Sequence, residues 1–273
     1  MQLQRRVILA ALAVLTLSAS AMGETISGGV AAFDGLLGRY VVLGGDGVSR
    51  VDYARWKGTG PDVAALSQFI QSQSALAPSR LSKPEQLAYW ANLYNAITLK
   101  VIIDAYPVAS IRDIKSKGVW LDPKAFMGPW VEKRVTVEGR ELSLDEIEHA
   151  ILRPTFKDPR VHYSVNCASF GCPNLRAMAW KAETLEADLD AAARAYVNHP
   201  RGAKADGGSL SVSRVYKWFK ADFGGNDAGV IAHLKTYAAP ELAKKLEMVK
   251  AIESDDYNWS LNDAKGATAG AGR

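Results

Sequence analysis

The stretch SKPEQLAYWANLYNAITLKVIIDAY, residues 82–106, predicts the helix around which the rest of the chain is organised. It opens with the Ser-x-x-Glu pattern of a capping box, carries a proline in its first turn and stops before Pro107. Apolar residues surround the helix so fully that little polar surface remains, which predicts a central, largely buried helix. A buried amide there needs hydrogen-bond partners, so Asn95 either ties down a neighbouring loop or orients a group in a site.

Shorter elements are predicted on both sides of this helix. Hydrophobic spacing indicates further helices over residues 62–77, 182–197, 227–237 and 240–248. A hairpin is expected over residues 131–142, and strands over residues 161–166 and 209–212. No linker divides residues 24–262. The sequence therefore predicts an α+β fold, a single helix-rich domain with a small antiparallel or mixed sheet around the central buried helix.

The two ends and the charge of the chain limit its possible functions. Residues 1–23 have a basic start, a short apolar run and small residues at the end, which predicts a signal peptide and a periplasmic or secreted protein. Without Arg5 and Arg6 the net charge falls from +4 to +2, with no basic cluster, so no nucleic-acid partner is expected. No membrane span is predicted after the leader. Residues 263–273 are expected to be disordered.

The stretch HYSVNCASFGCP, residues 162–173, holds both cysteines in a Cys-x4-Cys loop. Two cysteines in an exported chain make a disulfide the default expectation. A second feature lies on the short helix that a capping box opens at Ser143. There Glu148 falls on the apolar stripe, where a carboxylate needs a partner. Glu148 is therefore either a site residue or one half of a buried ion pair.

Several motifs together resemble the domain of unknown function 547 family. They are Tyr89–Ala96, Leu144–His149, Ile151–Arg153, Asp158–His162, Asn166–Pro173 and Trp259–Asn262. The resemblance covers roughly residues 80–262 and, with the leader, indicates an exported bacterial member. Because the family is named for lacking a function, the resemblance implies no activity.

The first functional hypothesis is a thiol-dependent hydrolase or acyl transferase. Cys167 would be the nucleophile, His162 or His149 the base, and Glu148 or Asn95 the group that orients it. In an unbroken strand His162 and Cys167 point to opposite faces, so they meet only if the chain turns sharply after Asn166. His149 comes from another element and avoids this difficulty.

Two alternatives stay open on the same residues. In the first, the protein is a non-catalytic envelope binding protein in which a Cys167–Cys172 disulfide stiffens the rim of a site. In the second, His162, Cys167, Cys172 and His149 hold a zinc ion, but the spacing is weak evidence, and we predict neither a metal nor a cofactor. A small-molecule or peptide substrate is expected, without its identity, and the sequence does not indicate the oligomeric state.

Overall fold

The computed structural model describes residues 28–115 and 128–266 and shows a helix-rich α+β fold. The predicted signal peptide lies outside the described residues. The helices are α1 (28–40), α2 (Tyr53–Gly58), α3 (Gly60–Ser74), α4 (Lys83–Ala105), α5 (Leu144–Glu146), α6 (Arg153–Phe156), α7 (Val161–Ser164), α8 (Leu185–Val197), α9 (Arg214–Trp218), α10 (Asp227–Tyr237) and α11 (Pro240–Leu246). The predicted fold class is confirmed.

The strands of the described residues form three separate small sheets. They are β1 (Val41–Leu43), β2 (Ser49–Val51), β3 (Val135–Val137), β4 (Arg140–Leu142), β5 (Ala203–Asp206), β6 (Ser209–Ser213) and β7 (Ser254–Asp256). The pairs β1–β2 and β3–β4 are antiparallel, and β3–β4 is the predicted hairpin. In the third sheet β6 pairs antiparallel with β5 and parallel with β7, so this sheet is mixed.

Helix α4 is the central helix that the sequence predicts. Both hydrogen bonds of its capping box are present between Ser82 and Glu85. Sixteen of its 23 side chains are buried, and the apolar ones among them belong to two clusters of core residues. One cluster lies against the chain from β3 to α8, and the other against α1, α2 and α3. Helix α4 thus connects these two clusters of the core.

Residues 161–164 form the short helix α7, so the prediction of a strand over residues 161–166 is wrong. The Asp158 side chain accepts a hydrogen bond from the Arg160 amide at 2.8 Å, and the Asp158 carbonyl accepts one from the Val161 amide at 3.1 Å. This turn continues as one helical turn. The alternation of apolar and polar residues was too short to distinguish a strand from a helical turn.

The helix that opens at Ser143 also ends later than predicted, because it passes Pro154. After α5 the chain makes a π-helical turn, Ile147–Leu152, and continues directly into α6. Pro154 lies in the first turn of α6, where a missing amide hydrogen is tolerated. Helices α5 and α6 and this turn together carry Glu148 and His149. Residues 28–40 form helix α1.

The segment after β7 docks on the cysteine loop. The Gly171 amide donates to the Asn258 carbonyl at 2.8 Å, and the Phe170 amide donates to the Ser260 carbonyl at 2.7 Å. A Cβ atom on Gly171 would lie 2.9 Å from the Asn258 nitrogen, so the close approach requires glycine there. Within the described ranges, no helix is long and apolar enough to span a bilayer.

Candidate functional site

A cavity of about 230 Å³ lies where the π-helical turn, the cysteine loop and the segment after β7 meet. Six of its lining side chains are aromatic: Tyr94, Trp130, Trp218, Phe219, Tyr257 and Trp259. Its polar lining includes Asp145, Glu148, His149 and His162, and both cysteines line it as well. We call this cavity the aromatic pocket.

One wall of the aromatic pocket is a chain of touching rings. The centroid of Trp259 lies 4.7 Å from that of Tyr257 and 5.9 Å from that of Trp130. The Trp218 ring adds to this wall, with its centroid 4.8 Å from that of Tyr257. Trp218 is nevertheless 45% exposed, although it is a large apolar side chain. An exposed ring at the edge of such a wall is available to contact a ligand.

Glu148 brings a carboxylate into the aromatic pocket. Its side chain is 13% exposed, and its Oε2 atom accepts a hydrogen bond from the Tyr94 hydroxyl at 3.2 Å. Burial, with Glu148 adding to it, raises the pKa of Tyr94 well above its ordinary value, so the phenol stays protonated as a donor. Asp145 lines the same cavity, and its described lining includes neither lysine nor arginine. The polar part of this cavity is therefore acidic.

His162 lies beside Glu148 and is held from behind by Asp222. The His162 Nε2 atom is 2.7 Å from Asp222 Oδ2, and the His162 ring stacks on Phe219 with centroids 4.1 Å apart. Arg153 donates to both oxygens of Asp222. The hydrogen bond from His162, supported by Arg153, keeps the pKa of Asp222 well below its ordinary value. Asp222 is therefore an ionised acceptor that fixes the orientation of the ring.

Cys167 and Cys172 form a disulfide, with their Cα atoms 6.2 Å apart. The Tyr257 hydroxyl lies 3.0 Å from Cys167 Sγ and 3.1 Å from Cys172 Sγ, and it also contacts Ser169 Oγ at 2.7 Å. The default expectation of a disulfide is confirmed. Both cysteines are paired, so this structure offers no free thiolate for the nucleophile or zinc hypotheses.

The predicted site residues separate into two groups. Glu148, His149, His162 and Cys167 all line the aromatic pocket. His149 lies at the rim and contacts Arg153 at 3.1 Å through Nδ1. Asn95 instead uses its whole amide on the backbone, because it donates to the Ser164 carbonyl at 2.9 Å and accepts from the Asn166 amide at 2.8 Å. This is the loop-tethering role that the sequence left open for Asn95.

Residues from the C-terminal third of the chain complete the site, and the sequence did not predict them. These are Trp218, Phe219, Asp222, Tyr257 and Trp259. The available signal was the density of aromatic residues at 216–223 and 257–259. No local pattern in the sequence indicates that Asp222 belongs to the site.

Residues 78–197 match the family described as "Protein of unknown function, DUF547", so this stretch is a domain of that family. The resemblance seen in the sequence is confirmed over these residues. No curated protein and no solved structure matches the chain. The matched stretch contains Glu148, His162 and the cysteine loop, and it ends before Asp222 and the aromatic wall.

Proposed function

We propose that this chain is a binding protein whose aromatic pocket takes a small organic cation with an apolar body. The observation that carries the proposal is the Glu148 carboxylate, next to Asp145, in an aromatic cavity whose described lining has no lysine or arginine. Aromatic ring faces attract cations, and a partly buried carboxylate gains most from a charged partner. An anionic ligand would meet repulsion from both carboxylates.

The size and the present use of the rings support this ligand class. A cavity of about 230 Å³ is below the roughly 300–1,000 Å³ of drug-sized ligand sites, which favours one small molecule over a peptide. Two of the rings already accept cations of the protein. The guanidinium of Arg153 lies 5.0 Å from the Phe219 centroid, and that of Arg112 lies 5.2 Å from the Trp259 centroid.

In this proposal the disulfide covalently fixes the loop that forms part of the pocket rim. It closes the loop that carries Cys167 and Cys172, and Tyr257 packs its hydroxyl against both sulfur atoms. A rim fixed before binding lowers the entropy cost of holding a ligand. Disulfides persist in oxidising compartments, so the bond is consistent with the predicted periplasmic or secreted location, which we retain as a proposal.

The test is a calorimetric titration with three ligands of matched shape at pH 7. They are 2-phenylethylammonium, 2-phenylethanol and 3-phenylpropionate. We expect the ammonium to bind at least about tenfold more tightly than the alcohol, because a charged hydrogen bond adds roughly 1.5–3 kcal/mol. The carboxylate should bind most weakly. Equal affinities, or a preference for the carboxylate, would overturn the proposal.

A second candidate function is that of a thiol-dependent hydrolase or acyl transferase that acts only after the disulfide is reduced. The observation that favours it is that both sulfur atoms line the same cavity as His162 and Glu148. Cys172→Ala frees Cys167, and the pH dependence of its alkylation by iodoacetamide then reports its thiol pKa. An activated thiol should react well below its ordinary pKa of about 8.5. Alkylation that rises only near pH 8.5 would reject this candidate.

A further inference from the structure

His162 has a buried ring nitrogen that no described residue satisfies. Its side chain is 1% exposed, and its Nδ1 atom has no hydrogen-bond partner. The other ring nitrogen is fully used by Asp222. A buried polar atom without a partner costs free energy of folding, so its presence in a cavity lining indicates a place for a ligand.

The Asp222 carboxylate determines which nitrogen of His162 carries the proton. Asp222 is ionised and clamped by Arg153, and an ionised carboxylate can only accept hydrogen bonds. The hydrogen therefore lies on Nε2 of His162, and in the neutral ring Nδ1 presents a lone pair. His162 lines the cavity, and its Nδ1 atom is the acceptor of the ring that no described residue uses.

A second acceptor, the Glu148 carboxylate, lies close to this lone pair. Glu148 Oε1 lies 3.8 Å from His162 Nδ1, which is too far for a direct hydrogen bond. If a ligand nitrogen lay about 2.9 Å from both Glu148 Oε1 and His162 Nδ1, the angle Oε1–N–Nδ1 would be about 80°. A tetrahedral ammonium can meet this angle with two modestly bent hydrogen bonds. One donor nitrogen can therefore satisfy both groups at once.

We propose that the aromatic pocket selects a cation that carries at least two N–H bonds, one donated to Glu148 Oε1 and the other to His162 Nδ1. Asp222 and Arg153 are positioning residues that keep His162 in its acceptor form. The inference rests on the proposed function and narrows its ligand class to primary or secondary ammonium and amidinium groups. A quaternary ammonium has the same charge but no N–H bond, so it should bind much less well.

The first experiment compares 2-phenylethylammonium with its N,N,N-trimethyl derivative by calorimetry. In the wild-type protein the primary amine should bind at least about tenfold more tightly, since two charge-assisted hydrogen bonds are lost in the derivative. His162→Phe should reduce this preference to less than about threefold. His199→Phe, a substitution outside the aromatic pocket, should preserve it.

The outcomes separate the two proposals. If both cations bind equally well to the wild-type protein, the N–H selection is wrong, although the proposed function stands. If neither cation binds, the proposed function fails and this inference fails with it. Because each preference is a ratio measured within one variant, a modest loss of stability does not affect the comparison.

The second experiment tests the positioning role through the ring nitrogens of His162. In the ligand-free wild-type protein at pH 7.5, ¹⁵N NMR should show Nε2 protonated and Nδ1 unprotonated. Asp222→Ala should remove this single form and lower the preference for the primary amine by at least about threefold. Asp222→Glu should restore both. A protonated Nδ1 in the wild-type spectrum would overturn the proposal, even if the Ala variant fails to fold.

Discussion

At the scale of single residues, the site depends on buried polar atoms and on where each finds its partner. Asn95 shows the structural case, since both ends of its amide hold the backbone between α7 and Cys167. His162 shows the other case, in which one nitrogen is used by the protein and the other has no hydrogen-bond partner among the described residues. The hydrogen bonds in the structure therefore distinguish a residue that holds the backbone from one that can bind a ligand, whereas the sequence alone did not separate Asn95 from His162.

Asn95→Ala should lower the free energy of unfolding by about 2–4 kcal/mol, because two buried backbone groups lose their partners. Asn198→Ala is the matched control, since this exposed amide also bonds to backbone groups and should cost about 1 kcal/mol. Urea denaturation measures both values. Equal losses in the two variants would show that Asn95 is no special tether.

Reduction of the disulfide should lower the free energy of unfolding by about 2 kcal/mol, as expected for a short closed loop. The measurement is the urea midpoint with and without a phosphine reductant. The Cys167→Ala/Cys172→Ala double variant should resemble the reduced wild type and should not respond to the reductant. If the urea midpoint of the wild-type protein were the same with and without the reductant, the structural role of the disulfide would be contradicted.

At the scale of elements, the sequence predicts structure where a complete signal lies within a few residues, and it carries no signal for contacts between distant segments. The capping boxes at Ser82 and Ser143 are contained within four residues, so the sequence displays them completely. Residues 161–164 were misread because a single turn gives too few residues for a period to appear. Tyr257 contacts Cys167 although the two residues are 90 positions apart, and no sequence pattern in either segment predicts this contact.

Ser143→Ala should lower the free energy of unfolding by about 1 kcal/mol, because its side chain accepts from the Glu146 amide at the start of α5. Ser67→Ala, in the exposed middle of α3, is the control and should change stability by less than about 0.5 kcal/mol. Thermal or urea unfolding measures both. A Ser143 variant as stable as the control would show that the cap does not anchor the turn that carries Glu148.

At the scale of the whole molecule, the core consists of the two clusters that share α4 and a third cluster, in which α8, α9, α10 and α11 pack with β5 and β6. Ile114 and Trp130 pack against the first two clusters, and Ala192 packs against the first and the third. The aromatic pocket draws residues from all three, which explains why single segments of the sequence indicate only about a third of its 15 lining residues. That residues 24–262 form a single domain stays a prediction.

The third cluster makes stability depend on pH through His233. Burial lowers the pKa of His233 from 6.5 to about 4, and its Nε2 lies 2.7 Å from the Tyr163 hydroxyl. The unfolded chain therefore binds this proton more readily than the folded one. The stabilisation is complete above about pH 6.5 and is lost progressively down to about pH 4, by at most about 3 kcal/mol.

Urea unfolding of the wild-type protein between pH 7 and pH 4 measures this loss. His233→Gln keeps a polar group near Tyr163 but cannot gain the proton, so its stability should fall less steeply over the same interval. The difference between the two pH profiles isolates His233 from the carboxylates, which titrate in both proteins. Parallel profiles would contradict the assignment.

The most direct test of the central claim is the effect of Glu148 on the choice between 2-phenylethylammonium and 2-phenylethanol. The wild-type protein should prefer the ammonium at least about tenfold, and Glu148→Gln should reduce this preference to less than about threefold. Glu141→Gln, on an exposed strand outside the aromatic pocket, should leave the preference unchanged. If the preference were the same in all three proteins, Glu148 would not be the group that recognises a cation.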